Sequence, residues 1–102
     1  MSLVDCSGKN SARCGRLSLF ANLSKLPIGL EISYPGNNNV WYTLGTFRPG
    51  EMFQAAAASL LFPGDSQIRA VNYVTGDSYP LGKIIQSEEN LFYLPENAFS
   101  SK

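Results

Sequence analysis

The sequence predicts a single all-β domain, a small antiparallel β-sandwich or barrel of six to seven strands, on three observations. Pro-Gly recurs at Pro35-Gly36, Pro49-Gly50 and Pro63-Gly64, 14 residues apart each time, and Gly76-Asp77 continues the series. Proline presets one turn torsion and glycine accepts the positive φ that follows, so each pair marks a chain reversal. The residues between reversals suffice for one strand each and alternate apolar with polar, the pattern of a strand with one buried face. Finally, 102 residues with 44 % apolar and 16 % charged side chains suit one domain around one core. The expected division is an N-terminal arm over 1–15, a β domain over 16–95 and a C-terminal tail over 96–102.

In the first strand Leu17, Leu19, Ala21 and Leu23 alternate with Arg16, Ser18, Phe20 and Asn22, which turns the leucines inward. In the second, Ile28, Leu30, Ile32 and Tyr34 alternate with Gly29, Glu31 and Ser33. Residues 40–47 carry apolar side chains on both parities, Val40, Tyr42 and Leu44 against Trp41 and Phe47, so this strand is expected to be covered on both faces. Residues 51–61 answer to two patterns. Ala55 to Ala58 favour a helix, and Met52, Phe53, Ala56, Ala57, Leu60 and Leu61 fall on one helical face. The run of aromatic, turn, acid and apolar residues at 47–55 nevertheless repeats at 62–70, and strand is the reading taken, with a short helix at 51–61 as the alternative. Ile68, Ala70, Asn72 and Val74 alternate with Arg69, Val71, Tyr73 and Thr75, and 79–86 and 90–94 supply two more strands. The predicted core is Leu17, Leu19, Ile28, Leu30, Ile32, Leu44, Phe53, Leu60, Ile68, Val71, Ile84 and Phe92, with Ala70 in place of Val71 if the register differs. Even turn spacing implies a meander, each strand beside the next.

The chain has no histidine, which removes Ser-His-Asp and Cys-His catalysis and imidazole-based zinc sites together. Two cysteines cannot complete a four-thiolate site, and no glycine-rich phosphate cradle is present. The expectation is a non-enzymatic protein with no cofactor and no metal. Eight cationic against eight anionic side chains leave no surplus for nucleic acid. The longest charge-free stretches are broken by proline, glycine and asparagine, and the start lacks an apolar leader, so the expected location is cytoplasmic or virion-associated, with no signal peptide or membrane span. Asn22-Leu23-Ser24 matches a glycosylation sequon, a chance match without such a leader.

Two sets of residues stand out as candidates. Trp41 and Tyr42 follow Asn37, Asn38 and Asn39, and aromatic rings beside amides offer a stacking face and hydrogen bonds to a sugar or similar flat ligand. The competing reading puts Trp41 over the core. Lys9, Arg13 and Arg16 near one end oppose Glu88, Glu89 and Glu96 near the other, a pattern suited to contact between copies. Glu51 and Asp65 follow equivalent turns and read as solvated charges. Cys6 and Cys14 are spaced for a disulfide, but without an export signal two free thiols are expected. The expected function is therefore structural. The chain would be an assembly protein, self-associating or docked on a larger scaffold such as a viral capsid or tail. Its partners would be other protein subunits, with no nucleic acid and no membrane. A small carbohydrate- or ligand-binding module is the alternative.

Overall fold

In the computed structural model the described residues are Cys6, 13–37, 39–54 and 60–99. They form β1 (Cys14–Asn22), β2 (Ile28–Ser33), β3 (Tyr42–Phe47), β4 (Met52–Gln54), β5 (Leu60–Pro63), β6 (Gln67–Val71), β7 (Ser78–Lys83) and β8 (Glu89–Leu94). The protein is all-β, with no helix among the described residues. The ambiguous segment is strand at both its ends, β4 and β5, while 55–59 lie outside the described residues. The count of eight exceeds the expected six to seven, because residues 51–63 supply two short strands rather than one.

The strands make two sheets packed as a small sandwich, and the expected meander is not what the chain builds. In the first sheet β1 is central. β8 lies parallel to it from Arg16 to Asn22, while β4 and β5 run antiparallel to it along the other edge, opposite 19–21 and 14–17. The second sheet is antiparallel throughout, in the order β3-β2-β6-β7. The predicted turns are present nonetheless. Gly36, Gly50 and Gly76 adopt φ of 80°, 84° and 84°, the left-handed region that glycine enters without a Cβ penalty. At the third Pro-Gly it is Asp65, not Gly64, that takes the positive φ, at 69°.

Leu17, Phe20, Ile28, Leu30, Ile32, Phe62, Ile68, Ala70, Ile84, Phe92 and Leu94 form the buried cluster between the sheets. Leu44 and Phe53 pack against it half-buried. Three predicted core members stand outside it, Leu19, Leu60 and Val71, though Val71 is buried. A bulge between Leu17 and Leu19 resets the alternation in β1, so that Phe20 and Asn22 turn inward and Leu19 outward. Leu60, the first residue of β5, is 42 % exposed. Between the two register options at 70–71, Ala70 faces the core. β1 begins at Cys14, and Ala98 and Phe99, beyond β8, still pack on the core.

Two buried asparagines close the ends of the first sheet. Asn22, fully buried, donates to the Leu26 and Phe47 carbonyls at 2.9 and 3.1 Å and accepts from Ser24. An amide held in this way has no room for a glycan, which settles the sequon. Asn90 accepts from the Ile85 amide at 2.8 Å and donates to the Arg16 carbonyl at 3.1 Å. Each satisfies main-chain groups that the sandwich would otherwise bury unpaired.

The expectation of two free thiols is overturned: Cys6 and Cys14 are joined in a disulfide, with Cα atoms 5.9 Å apart. That expectation rested on compartment alone, whereas the geometry brings the two residues within bonding reach.

Candidate functional site

On the outer face of the second sheet, three strands and a turn converge on Glu31. Glu31 is opposite Arg69 on β6 and opposite Thr43 on β3, so the three side chains share one face of the sheet. Arg69 reaches the Glu31 carboxylate through Nε and Nη2, both at 2.9 Å. Tyr73, from the turn after β6, donates its phenol proton to Glu31 Oε2 at 2.8 Å and stands 3.4 Å from Thr43 Oγ1. Its ring occupies the space above Gly29, where a Cβ would overlap it. Glycine at 29 is thus what lets Tyr73 lie flat on β2, and Tyr73 together with Arg69 is what lets Glu31 be 8 % exposed and still charge-compensated. For the phenol, the Thr43 contact lowers the Tyr73 pKa, but burial and the hydrogen bond and charge of Glu31 raise it, Arg69 lowers it, and the balance lies above the ordinary value.

Trp41 completes this cluster by taking the Arg69 guanidinium over its ring at 3.9 Å, a cation–π contact. Beside it a shallow cleft of about 310 Å³ is lined by Trp41, Gln67, Arg69, Ser78, Pro80 and Lys83, among others. Tyr42 is placed elsewhere. It is opposite Ile32 and its ring lies 5.6 Å from that of Tyr34. Tyr42 thus shares the Ile32 side of the sheet, while Trp41, just before β3, lies over Arg69 on the other side. The Asn37 amide donates to the Tyr34 carbonyl at 3.0 Å, and its own carbonyl accepts from Ser33 Oγ at 3.1 Å. Asn39 is exposed and Asn38 lies outside the described residues.

Three of the charged candidates pair within the chain. Arg16 meets Glu89 at 3.8 Å and Lys25 meets Glu96 at 3.5 Å, all four side chains well exposed. Arg16, Leu61, Glu88 and Glu89 line a depression of about 340 Å³ at one end of the first sheet. Arg13 is exposed, and its carbonyl accepts from Gly64. Lys9 lies outside the described residues. Glu51 closes its own turn, accepting from the Arg48 amide at 2.6 Å, as suits a turn charge.

The outer face of the first sheet is apolar over much of its area, with Gln54 at one edge and the Arg16–Glu89 pair at one end. The register puts Leu19 and Ala21 of β1, Met52 of β4, Leu61 of β5, and Leu91 and Tyr93 of β8 on that face, opposite in parity to Phe20, Phe53, Phe62, Phe92 and Leu94. Met52 is 57 % exposed, Leu61 39 %, and Leu91 and Tyr93 53 % each. Sequence parity missed this surface because the β1 bulge was not visible. The hint lay in β8, where apolar residues occupy both parities of Leu91-Phe92-Tyr93-Leu94.

Together the fold and these surfaces define a small β-sandwich whose one sheet carries a polar network around Glu31 and whose other sheet presents an apolar face. Comparisons with protein-family models, with curated proteins and with solved structures found no match, so function is read from the chain's own geometry.

Proposed function

We propose that the chain is a non-enzymatic assembly subunit that docks on other protein subunits through the outer face of its first sheet. The observation that carries this reading is the cluster of Met52, Leu61, Leu91 and Tyr93 on one sheet face, each between 39 and 57 % exposed. Grouped apolar side chains that no described residue covers lose hydration only against another surface, and such patches mark protein contacts. Of the opposite charges expected to join copies, Arg16 pairs with Glu89 and Glu96 with Lys25 inside the chain, and the support for assembly is drawn from this face. Light scattering over a concentration series tests it. Oligomers are expected from the native chain, and Met52→Lys with Leu61→Lys should return the protein to monomer without loss of folding. A native chain that stays monomeric and takes up no subunit from the assembly it is produced with refutes the reading.

One observation favours a second reading, a ligand-binding module: the cleft where Trp41, Arg69, Pro80 and Lys83 put an aromatic ring, an apolar wall and cationic groups side by side. Tyr42 has no part in it. Quenching of the Trp41 fluorescence by acidic sugars, lost in Lys83→Ala, would support this reading, and an indole indifferent to glycans would end it.

A further inference from the structure

Four runs of strand edge are open among the described residues, and three of them are blunted. β7 carries Pro80, Gly82 at φ 145° and Lys83, and its register with β6 is broken by a bulge. β3 is bulged against β2 between the partners of Leu30 and Glu31. β4 and β5 are three and four residues long, and β5 ends in Pro63. Short strands, bulges, prolines and lysines are the devices by which sandwiches keep their edges from pairing with other chains. β8 has none of them. It is six residues long, Glu89–Leu94, without proline, lysine or arginine, and its one charge stands at its first position.

The main chain of β8 is also divided in a way that leaves one complete set of bonds unused among the described residues. Arg16 donates to the Glu88 carbonyl at 2.9 Å and Leu23 donates to the Leu94 carbonyl at 3.0 Å. In a parallel ladder alternate residues turn both their N–H and C=O to the same neighbour. The even-numbered residues of β8 therefore face β1, and Glu89, Leu91 and Tyr93 direct their main-chain groups to the open edge. The side chains of these three lie on the apolar outer face.

We propose that β8 pairs antiparallel with β8 of a second copy about a twofold axis at Leu91, joining two first sheets into one continuous sheet. The inference rests on the assembly reading and names its first contact. Leu91 would oppose Leu91 of the second copy, and Tyr93 would oppose Glu89, so each edge-facing residue exchanges both main-chain bonds with its counterpart. The Tyr93 phenol would then stand across from a carboxylate able to accept a hydrogen bond from it. Neighbouring axes do not achieve this. A twofold at Phe92 sets Glu89 against Pro95, which has no N–H, and a twofold at Asn90 sets Tyr93 against Ser87, whose φ of 65° takes it out of the extended conformation. Self-complementarity at a single register is what an isologous contact between two copies requires. The joined sheet would carry Leu91 and Tyr93 of both copies at its middle and extend the apolar face on either side.

The test is sedimentation velocity on the native chain over a concentration series, beside Leu91→Lys and Leu91→Pro. Lysine sets like charges against each other at the axis. Proline removes an N–H that β1 does not use. Both should weaken the dimer at least tenfold while far-ultraviolet circular dichroism stays that of the native sheet. If the proline variant fails to fold, the lysine variant decides. Leu91→Cys should in addition cross-link to itself on mild oxidation, since directly opposed residues approach within disulfide reach, whereas Val74→Cys, 88 % exposed in a distant turn, should not. Association unchanged in the Leu91 variants but lost in Met52→Lys with Leu61→Lys overturns the twofold and leaves the assembly reading standing. A native chain that forms no dimer overturns the twofold as well, and one that also takes up no other subunit overturns both.

Discussion

Replacing Arg69 by leucine should destabilise the fold through the partner it abandons. Glu31 sits on the central strand β2 with its side chain 11 % exposed, and Arg69 gives it two contacts at 2.9 Å from a side chain 29 % exposed. Removing one member of a fully buried ion pair costs about 3–5 kcal/mol, most of it the desolvation of the charge left behind. Here the pair retains some access to water and Glu31 keeps the Tyr73 phenol at 2.8 Å, which brings the expected loss to about 2–3 kcal/mol. For a chain of 102 residues this corresponds to a fall in melting temperature of about 10–20 °C. Urea unfolding followed by circular dichroism, with an unchanged slope against denaturant, measures it directly. The decisive comparison is Glu31→Leu with Arg69→Leu, which removes both charges and should regain at least about 1 kcal/mol over the single arginine variant. A loss below about 0.5 kcal/mol, the level of a surface pair, or a double variant that simply adds the two single effects, would refute the assignment of Glu31 as a buried charge held by Arg69.

Phe20, fully buried where the bulge turns β1 inward, should cost about 3–5 kcal/mol as alanine, whereas Leu19→Ala on the opposite face of the sheet should cost under about 1 kcal/mol; equal losses in denaturant titrations would place the bulge wrongly. Tyr73, with a pKa raised above its ordinary value of 10.0, favours the neutral phenol in the folded state, so its contribution is complete below that pH and is lost as pH rises through the folded pKa. Melting temperatures between pH 8 and 11 should therefore fall less steeply in Tyr73→Phe than in the native chain, and an unaltered slope would contradict this. Reduction of the Cys6–Cys14 bond, which spans a sequence separation of 8, should lower stability by about 2.5 kcal/mol on the loop-entropy estimate, read from denaturation with and without reductant.

How far the sequence could be read depended on whether strand parity held along the element. In β2 it did: Ile28, Leu30 and Ile32 are all in the core as alternation predicted. In β1 one bulge exchanged Leu19 for Phe20, a change of one residue that no local pattern announces. The turns at Gly36, Gly50 and Gly76 were legible because their chemistry is local. The parallel pairing of β1 with β8 was not, because which strands become neighbours depends on how two sheets bury each other's apolar faces. The site shows the same division. Trp41 stood out as a lone indole, but its partner Arg69 is far off in sequence and meets it only once β6 is laid beside β2. Glu31 and Tyr73 both read as members of alternating strands, but β6 ends at Val71 and Tyr73 falls in the turn beyond it. Their pairing could be sought only from Gly29, the one position in β2 where a missing side chain makes room for a ring.

If the outer face of the first sheet is a protein contact, oxidative footprinting of the assembled protein against the dilute protein measures that face itself. Met52 and Tyr93, exposed on that face, should lose most of their reactivity on assembly, while Tyr73, equally exposed at 53 % but on the other sheet, should keep its own. Equal labelling of Met52 and Tyr93 in the assembled and dilute states would contradict the account.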